Sequence, residues 1–311
     1  MAATLQTGGP VHNIRKLTVL SCGAGRDSCA IIAKHLSGEY QIPGEFVAVF
    51  SDTGNEHPHT YETITRVKAL CAEKGVKFVH LTPDLGYHTE AWRTLTGQWS
   101  RTNSVTSKAF GKACTDNLKI KPIYRWLNDY CGELLGIPKD QRQDRGKQEI
   151  VEWVSRYGQI DMIVGIAQGE EKRLGKDFPQ KWATACINRI YPLIDWGMNG
   201  NDCIEYLDSY QRLGKVYPSN CMFCHYSSKA EVLWLYRQYP EKFSEWVGYE
   251  KAKIDANREK QAARGKPNHG VNGAKLLPVI LLEAEEEFGH LGNEDLDDIK
   301  RSHGQCGVNA Y

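Results

Sequence analysis

The stretch Leu17-Thr18-Val19-Leu20-Ser21-Cys22-Gly23-Ala24-Gly25-Arg26-Asp27-Ser28-Cys29-Ala30 decides the fold. Leu17–Leu20 reads as a short buried strand and the residues after it as a glycine-rich turn. From Ser28 onward, with Ile31, Ile32 and Leu36, a helix opens. A strand that turns directly into a helix points backbone N–H groups and a helix N-terminus at one place, an arrangement that binds phosphate. Gly23 and Gly25 are expected to supply positive φ and a close backbone approach to the ligand, and Ser21 and Ser28 to add hydroxyl donors. The turn has neither the Gly-Lys-Ser/Thr ending of a Walker loop nor the Gly-x-Gly-x-x-Gly spacing of a dinucleotide site.

Outward from this turn, strand-like and helix-like segments alternate. Strands are predicted at Leu17–Leu20, Glu45–Phe50, Lys77–Leu81 and Asp161–Val164. Helices are predicted at Ser28–Leu36, Pro58–Lys74, Ile120–Leu135 and Gln148–Tyr157. The alternation predicts an α/β fold with a doubly wound parallel sheet, in which ligands sit beyond the carboxyl ends of the strands. After Phe50 comes Ser51-Asp52-Thr53-Gly54-Asn55-Glu56. Asp52 is suited to bind magnesium through water or to accept from a ribose, and Thr53 to donate to phosphate; equally, Asp52 or Asn55 caps the helix beginning near Pro58. After Val164 comes Gly165-Ile166-Ala167-Gln168-Gly169-Glu170-Glu171-Lys172-Arg173. Arg173 is suited to neutralise phosphate or sulfate, and Glu170 or Glu171 to hold a metal or pair with Arg173. Gly86–Gly111 lacks periodicity and reads as a long loop, either a mobile lid or a surface insertion.

The 311 residues suffice for one large domain or two modest ones. With 41% hydrophobic and 25% charged residues the chain can build an ordinary core. A net charge of +1 argues against a strongly basic nucleic-acid binder acting alone. No apolar run approaches the roughly 20 residues that span a membrane. Met1–Asn13 has no apolar core and is expected to be a loose arm, not a secretory signal. Ten cysteines in that setting suggest a reducing cytoplasm and thiols used for chemistry or metal.

Cys29, Cys71, Cys131 and Cys186 read as small buried hydrophobes. Cys221-Met222-Phe223-Cys224 differs, since two thiolates at this spacing bind one metal centre. Further ligands must come from afar. Cys114, with Lys112, Lys119 and Lys121 nearby, is the leading third ligand because basic neighbours stabilise a thiolate or an anionic cluster. His225, Cys203 or Cys306 supplies the fourth, or the position stays open. A zinc knuckle and a redox dithiol are the other readings of the pair. Beyond it, Glu231–Glu250 reads as an aromatic-rich helix and Lys251–Gly273 as a solvated helix end and loop. Leu276–Leu282 is an apolar run of undecided type, and Gly289–Tyr311 an acidic, then glycine-containing, mobile tail.

In their order these motifs resemble the PAPS (phosphoadenosine phosphosulfate) reductase-like proteins of the adenine-nucleotide α-hydrolase class, which includes ATP pyrophosphatases with a Ser-Gly-Gly-x-Asp-Ser loop. The likeness runs from about Leu17 to Glu250. It takes in Ser21–Ser28, Ser51–Glu56, Cys114-Thr115 with Lys119–Ile123, Gly165-Ile166 with Glu171 and Arg173, Tyr191–Trp196 and Ser219–Cys224. It implies a parallel sheet of five or more strands holding an adenine nucleotide. Ser21, Gly23, Gly25, Asp27 and Ser28 would cradle phosphates, and Asp52, Thr53, Gly165 and Glu171 would complete the nucleotide site. Cys114, Cys221 and Cys224 would hold a 4Fe-4S cluster. Cys22 and Ala24 interrupt the usual Gly-Gly, and Ala113 replaces one of the adjacent cysteines of APS (adenosine phosphosulfate) reductases. Gln305-Cys306-Gly307 matches only in part the reductases' C-terminal Cys-Gly nucleophile.

The resemblance implies an ATP pyrophosphatase that works with Mg²⁺ in sulfur transfer, with Asp27, Ser28, Arg173 and Cys306 as candidate catalytic residues. The ATP-hydrolysing component of bacterial DNA phosphorothioation systems is the functional relative it suggests. The acceptor would be DNA or tRNA, gripped through a partner protein, with a cysteine desulfurase as sulfur donor and a homo-oligomer compatible with the reading. The alternatives are a sulfonucleotide reductase, in which Cys306 attacks the sulfur of APS or PAPS, and a non-catalytic nucleotide- and cluster-binding subunit of a modification or defence complex. The expected organisation is an arm at 1–13, a nucleotide-binding domain at 14–200 and a C-terminal region at 201–311 carrying the C-x-x-C, helices and tail.

Overall fold

The structure, a computed structural model, describes residues 15–111, 113–174 and 180–303. Strands β1 (Leu17–Ser21), β2 (Glu45–Ser51), β3 (Lys77–Leu81), β4 (Ile160–Val164) and β5 (Ile187–Ile190) form one sheet in the order β3-β2-β1-β4-β5. Every neighbouring pair is parallel. The helices of the first half are α1 (Arg26–Ser37), α2 (Pro58–Glu73), α3 (Leu95–Thr102), α4 (Ala113–Thr115), α5 (Lys121–Leu134) and α6 (Gln148–Tyr157). Those that follow are α7 (Lys181–Cys186), α8 (Pro192–Asp195), α9 (Gly200–Tyr210), α10 (Lys229–Gln238), α11 (Pro240–Ala263), α12 (Leu277–Phe288) and α13 (Asn293–His303).

Successive residues of a strand face opposite sides of the sheet. Leu20, Ala48, Phe50 and Ile163 join one core with α1, α2 and α9. Val19, Val47, Val49 and Met162 join another with α5, α6 and α7. Burial on both faces explains why β1, β2 and β4 read as continuous apolar runs, and the doubly wound α/β expectation holds. The sequence reading missed β5. Its middle, Asn188-Arg189, is polar because this is an edge strand, half open to solvent. Cys29, Cys71, Cys131 and Cys186 are all buried, as expected. α9 lies beyond residue 200 yet packs on α1, so the nucleotide-side core continues past that point.

A third core gathers α3, α10, α11, α12 and α13. Trp99 and Trp246 both stack on Phe223, with ring centroids 6.2 and 5.7 Å away. This corrects the reading of 86–111 as an unstructured loop: Thr94 caps α3 by accepting from the Gly97 amide, and Leu95 and Trp99 are buried. The helix expected at Glu231–Glu250 is two, because Pro240 has no amide to continue α10 and instead opens α11. The run Leu276–Leu282 is helical, the start of α12. Of the tail expected to be mobile, the described part is ordered as α13 and anchored, and residues 304–311 lie outside the described residues. Lys300 is 1% exposed, its Nζ donating to Asn220 Oδ1 (2.7 Å) and Glu231 Oε1 (2.9 Å), while Tyr217 and Trp234 donate to Asp297. Among the described residues no helix is long and apolar enough to cross a membrane.

Candidate functional site

The turn after β1 is shaped by its own side chains. Cys22 Sγ accepts from the Ala24 amide at 3.4 Å, and Ser28 Oγ donates to the Gly25 carbonyl at 3.1 Å. The Cys22 amide reaches Val49 O and the Arg26 amide reaches Tyr217 O. Among the described residues the amides of Gly23, Gly25 and Asp27 have no acceptor, so they stand available to an anion at the head of α1. The positive φ expected of the glycines falls instead on Ala24 (φ 54°). Gly23 and Gly25 are needed for another reason: a Cβ there would lie 2.8 Å from Ser219 Oγ and 2.3 Å from the Ser219 amide nitrogen, respectively. The close approach is to the chain itself, by the segment leading into the C-x-x-C. A small pocket remains beside the turn, lined by Ser21, Cys22, Gly23, Ser51, Lys119 and Ile123 among others.

Burial pushes the Asp27 carboxyl up to about 6, against the pull of the Arg26 guanidinium 3.2 Å away. Glu170 and Arg173, which pair with each other, also bear on Asp27. Gly165 is where the end of β4 meets the first turn of α1: its Cβ would be 3.1 Å from the Ser28 nitrogen. Glu171 is exposed and accepts from the Gly169 amide, so in this structure it braces its own turn. Asp52 is buried and fully engaged, accepting from the Gly54 amide (2.7 Å) and Tyr61 (2.9 Å) and contacting His80 Nε2 at 3.1 Å. Burial opposes its charge, but His80, Gly54 and Tyr61 outweigh that and hold the carboxyl below the usual range. Thr53 donates to Glu56 Oε1 at 2.8 Å.

The structure brings Cys114, Cys221 and Cys224 to the wall of one small cavity, which Thr53, Lys119 and His225 also line. Cys114 arrives on α4, which passes through a π-helical turn (Asp116–Ile120) into α5. Such turns recur at functional sites because they re-aim side chains. Within the pair, the thiol of Cys221 bonds to Cys224, which draws Cys224 below the ordinary thiol value and leaves the proton on Cys221. Burial, and then Cys224, raise Cys114. Among the described residues no three His, Cys, Asp or Glu side chains are arranged, as they stand, to hold a metal ion. Cys203 does not join this cavity. It is wholly buried in the α1/α9 core, its thiol raised to about 12 chiefly by burial, because its place on α9 faces α1. Cys306 lies outside the described residues.

A family model for the phosphoadenosine phosphosulfate reductase domain matches residues 18–212. The chain belongs to that family. The family match covers the phosphate loop, the Ser51–Glu56 block, Cys114 and the Gly165–Arg173 turn, and ends before the C-x-x-C. The structure is also similar to that of the U34-tRNA thiolase NcsA from Methanococcus maripaludis with its 4Fe-4S cluster, at 15% identity and a TM-score of 0.39, over 96% of this chain and 81% of that chain. No curated protein matches the chain.

What holds this reductase-family site together was largely absent from the sequence reading. Glu56 bridges in antiparallel fashion to Cys221, and the Met222 amide donates to Asn55 O at 2.8 Å, so the Ser51–Glu56 block is stitched to the cysteine pair. Glu56 is 4% exposed, lies 3.9 Å from Lys119 Nζ, and has a buried Oε2 with no partner. Lys119 lines both cavities. Arg26 NH1 donates to the carbonyls of Ser302 (2.6 Å) and Arg301 (3.1 Å), joining the loop to α13. The only local signal for these roles was the charge of Glu56 and Lys119 beside motifs already noted.

Proposed function

We propose that the chain is an ATP pyrophosphatase of sulfur transfer, splitting ATP to AMP and pyrophosphate so that an activated acceptor oxygen can be replaced by sulfur, as in DNA phosphorothioation or tRNA thiolation. The observation that carries this reading is the joint between phosphate loop and cysteine cavity. Ser219 sits on Gly23 and Gly25, residues 55–56 are stitched to 221–222, and Lys119 faces both spaces. The amides of Gly23, Gly25 and Asp27 are suited to hold phosphates and to stabilise charge on the departing pyrophosphate. Lys119 and Arg173 supply cations at that rim, and Asp27, ionised above about pH 6, supplies the carboxylate suited to Mg²⁺. Cys114, Cys221 and Cys224 would hold the iron–sulfur group after turning toward a common centre: they are free thiols on the wall of one cavity, with a lysine there to offset an anionic cluster. Bound there by three cysteines, a 4Fe-4S cluster would supply an iron able to carry sulfide. The acceptor is proposed to be DNA or tRNA presented by a partner protein in the cytoplasm, with a cysteine desulfurase as the sulfur source.

One contact favours a second reading, sulfonucleotide reduction. Arg26 holds the end of α13 against the phosphate loop, four residues before Cys306. Anaerobically purified protein separates the two when iron and acid-labile sulfide are assayed with pyrophosphate release from ATP and sulfite release from APS or PAPS. Bound iron that falls in Cys221→Ser, with pyrophosphate formed from ATP, supports the first reading. Sulfite release abolished in Cys306→Ser supports the second. Nucleotide binding with neither product overturns both.

A further inference from the structure

We propose that the chain carries a second phosphate-binding site, separate from the loop, where α5 faces the 138–147 connector. A polar cavity of about 220 Å³ opens there, lined by Tyr87, Arg125, Asp129, Lys139, Arg142 and Asp144 among others. Of the two acids on its wall, Asp144 is exposed and Asp129 is already neutralised, accepting from Tyr87 (2.7 Å), Lys139 (2.7 Å) and Arg142 (3.2 Å). Arg125 is not. Its guanidinium donates to the Tyr87 carbonyl at 3.0 Å, and among the described residues no carboxylate lies within 4.0 Å of it. A guanidinium has five N–H donors, so most of its capacity is unused.

Just past the cavity rim, Lys147 repeats the pattern. Its Nζ lies 5.2 Å from the Trp182 ring centre and 5.9 Å from that of Tyr124, and no carboxylate among the described residues pairs with it. Burial, and then Arg125, hold Lys147 down to about 8, while burial and Arg145 lower Arg125. Asp144 and Glu149 offset this crowding only in part. Glu149 is engaged by Asn128 and the Gln143 amide, and Asp144 is exposed, 4.0 Å from Arg145. Like charges crowded in a half-buried place are relieved by an anion that binds between them. Phosphate matches the Arg fork, with the lysine as a point charge. α5 also carries Ile123, which lines the loop-side pocket; two positions from Arg125 on a helix it points to another side, so the two sites share an element but not a wall.

The shared chemistry is a phosphate group, free or within a nucleic-acid strand; the partly exposed Trp182 would add stacking surface for a base of a strand. The proposal does not depend on which nucleotide the loop takes. The full chain is titrated calorimetrically with inorganic phosphate and with a short single-stranded oligonucleotide, with and without a non-hydrolysable ATP analogue. The expected result is binding that weakens by about tenfold or more in Arg125→Gln/Lys147→Gln, with the affinity for the analogue unchanged. Tighter, salt-dependent binding of the oligonucleotide assigns the phosphate to a strand; equal or tighter binding of inorganic phosphate assigns a free anion. Lys147→Gln alone, which removes no hydrogen bond, keeps the test open should the double variant misfold. Either probe binding wild type and variants alike, or neither probe binding wild type, overturns the proposal. Failure of the analogue to bind would instead overturn the ATP reading.

Discussion

The loop-side pocket and the cysteine cavity share Lys119 but are built in opposite ways. The first sets the β1 turn (Ser21, Cys22 and Gly23) beside the end of the neighbouring strand β2 (Phe50 and Ser51), with Lys119 and Ile123 closing it. The second is assembled from Thr53, the α4–α5 passage and the 221–226 turn, held in place by contacts that run as far as α13. A local site keeps its form through backbone geometry, whereas an assembled one depends on remote ties. Those ties are the places to test the difference.

The largest effect is expected from Lys300→Met. It leaves the buried Glu231 carboxylate without its cation, which costs about 3–5 kcal/mol, read by chemical denaturation. Lys300→Met/Glu231→Gln should recover most of the loss; if it does not, the ion pair is not what ties α13 to the cysteine segment. Burial raises the Glu231 carboxyl, but Lys300 and Ser228 outweigh this and hold it below the ordinary carboxylate value. A depressed folded-state value means that the stabilisation is complete above the unfolded value of about 4 and disappears as the pH falls through the folded one. The gap between wild type and Lys300→Met should therefore narrow in acid.

Gly25→Ala comes next, because it strikes the contact between the two regions. The new Cβ meets backbone, not a flexible side chain, so about 1–3 kcal/mol should be lost in thermal unfolding. Displacing Ser219 should also expose Cys221 and Cys224 to a thiol reagent in cluster-free protein. Unchanged thiol reactivity would show that the regions are mechanically independent. Asp52→Asn should destabilise by about 1–2 kcal/mol while leaving ATP-analogue affinity within a few-fold, since its oxygens are occupied within the chain. A collapse of affinity would return Asp52 to the nucleotide site. Smallest is Cys203→Ala, at about 1 kcal/mol from lost packing, with iron content unchanged where Cys114→Ser lowers it.

Much of the nucleotide half was legible in sequence because its signals are local. β1, β2 and β4 are apolar runs buried on both faces, and the turn after Leu20 announces itself through glycines between a strand and a helix. β5 was not legible, since an edge strand with Asn188-Arg189 at its centre carries no such run. α3 was hidden because its anchor, Trp99, gains meaning only from Phe223, more than a hundred residues away. Cys114 and the Cys221/Cys224 pair could be singled out by residue type and spacing, while Cys203, of the same type, could be set aside only from its burial against α1.

The sequence by itself determined the α/β class, the strand–turn–helix passage after Leu20 and the cysteine pair at 221 and 224. Backbone conformation and apolar periodicity are written over spans of a few residues. Only the tertiary structure decided that Ser219 seats on the loop glycines, that Glu56 and Lys119 stand between the two cavities, and that Lys300 secures the cysteine segment from beneath. Those partners lie tens to hundreds of residues apart, and a buried charge declares its role only once the fold has chosen which opposite charge it meets.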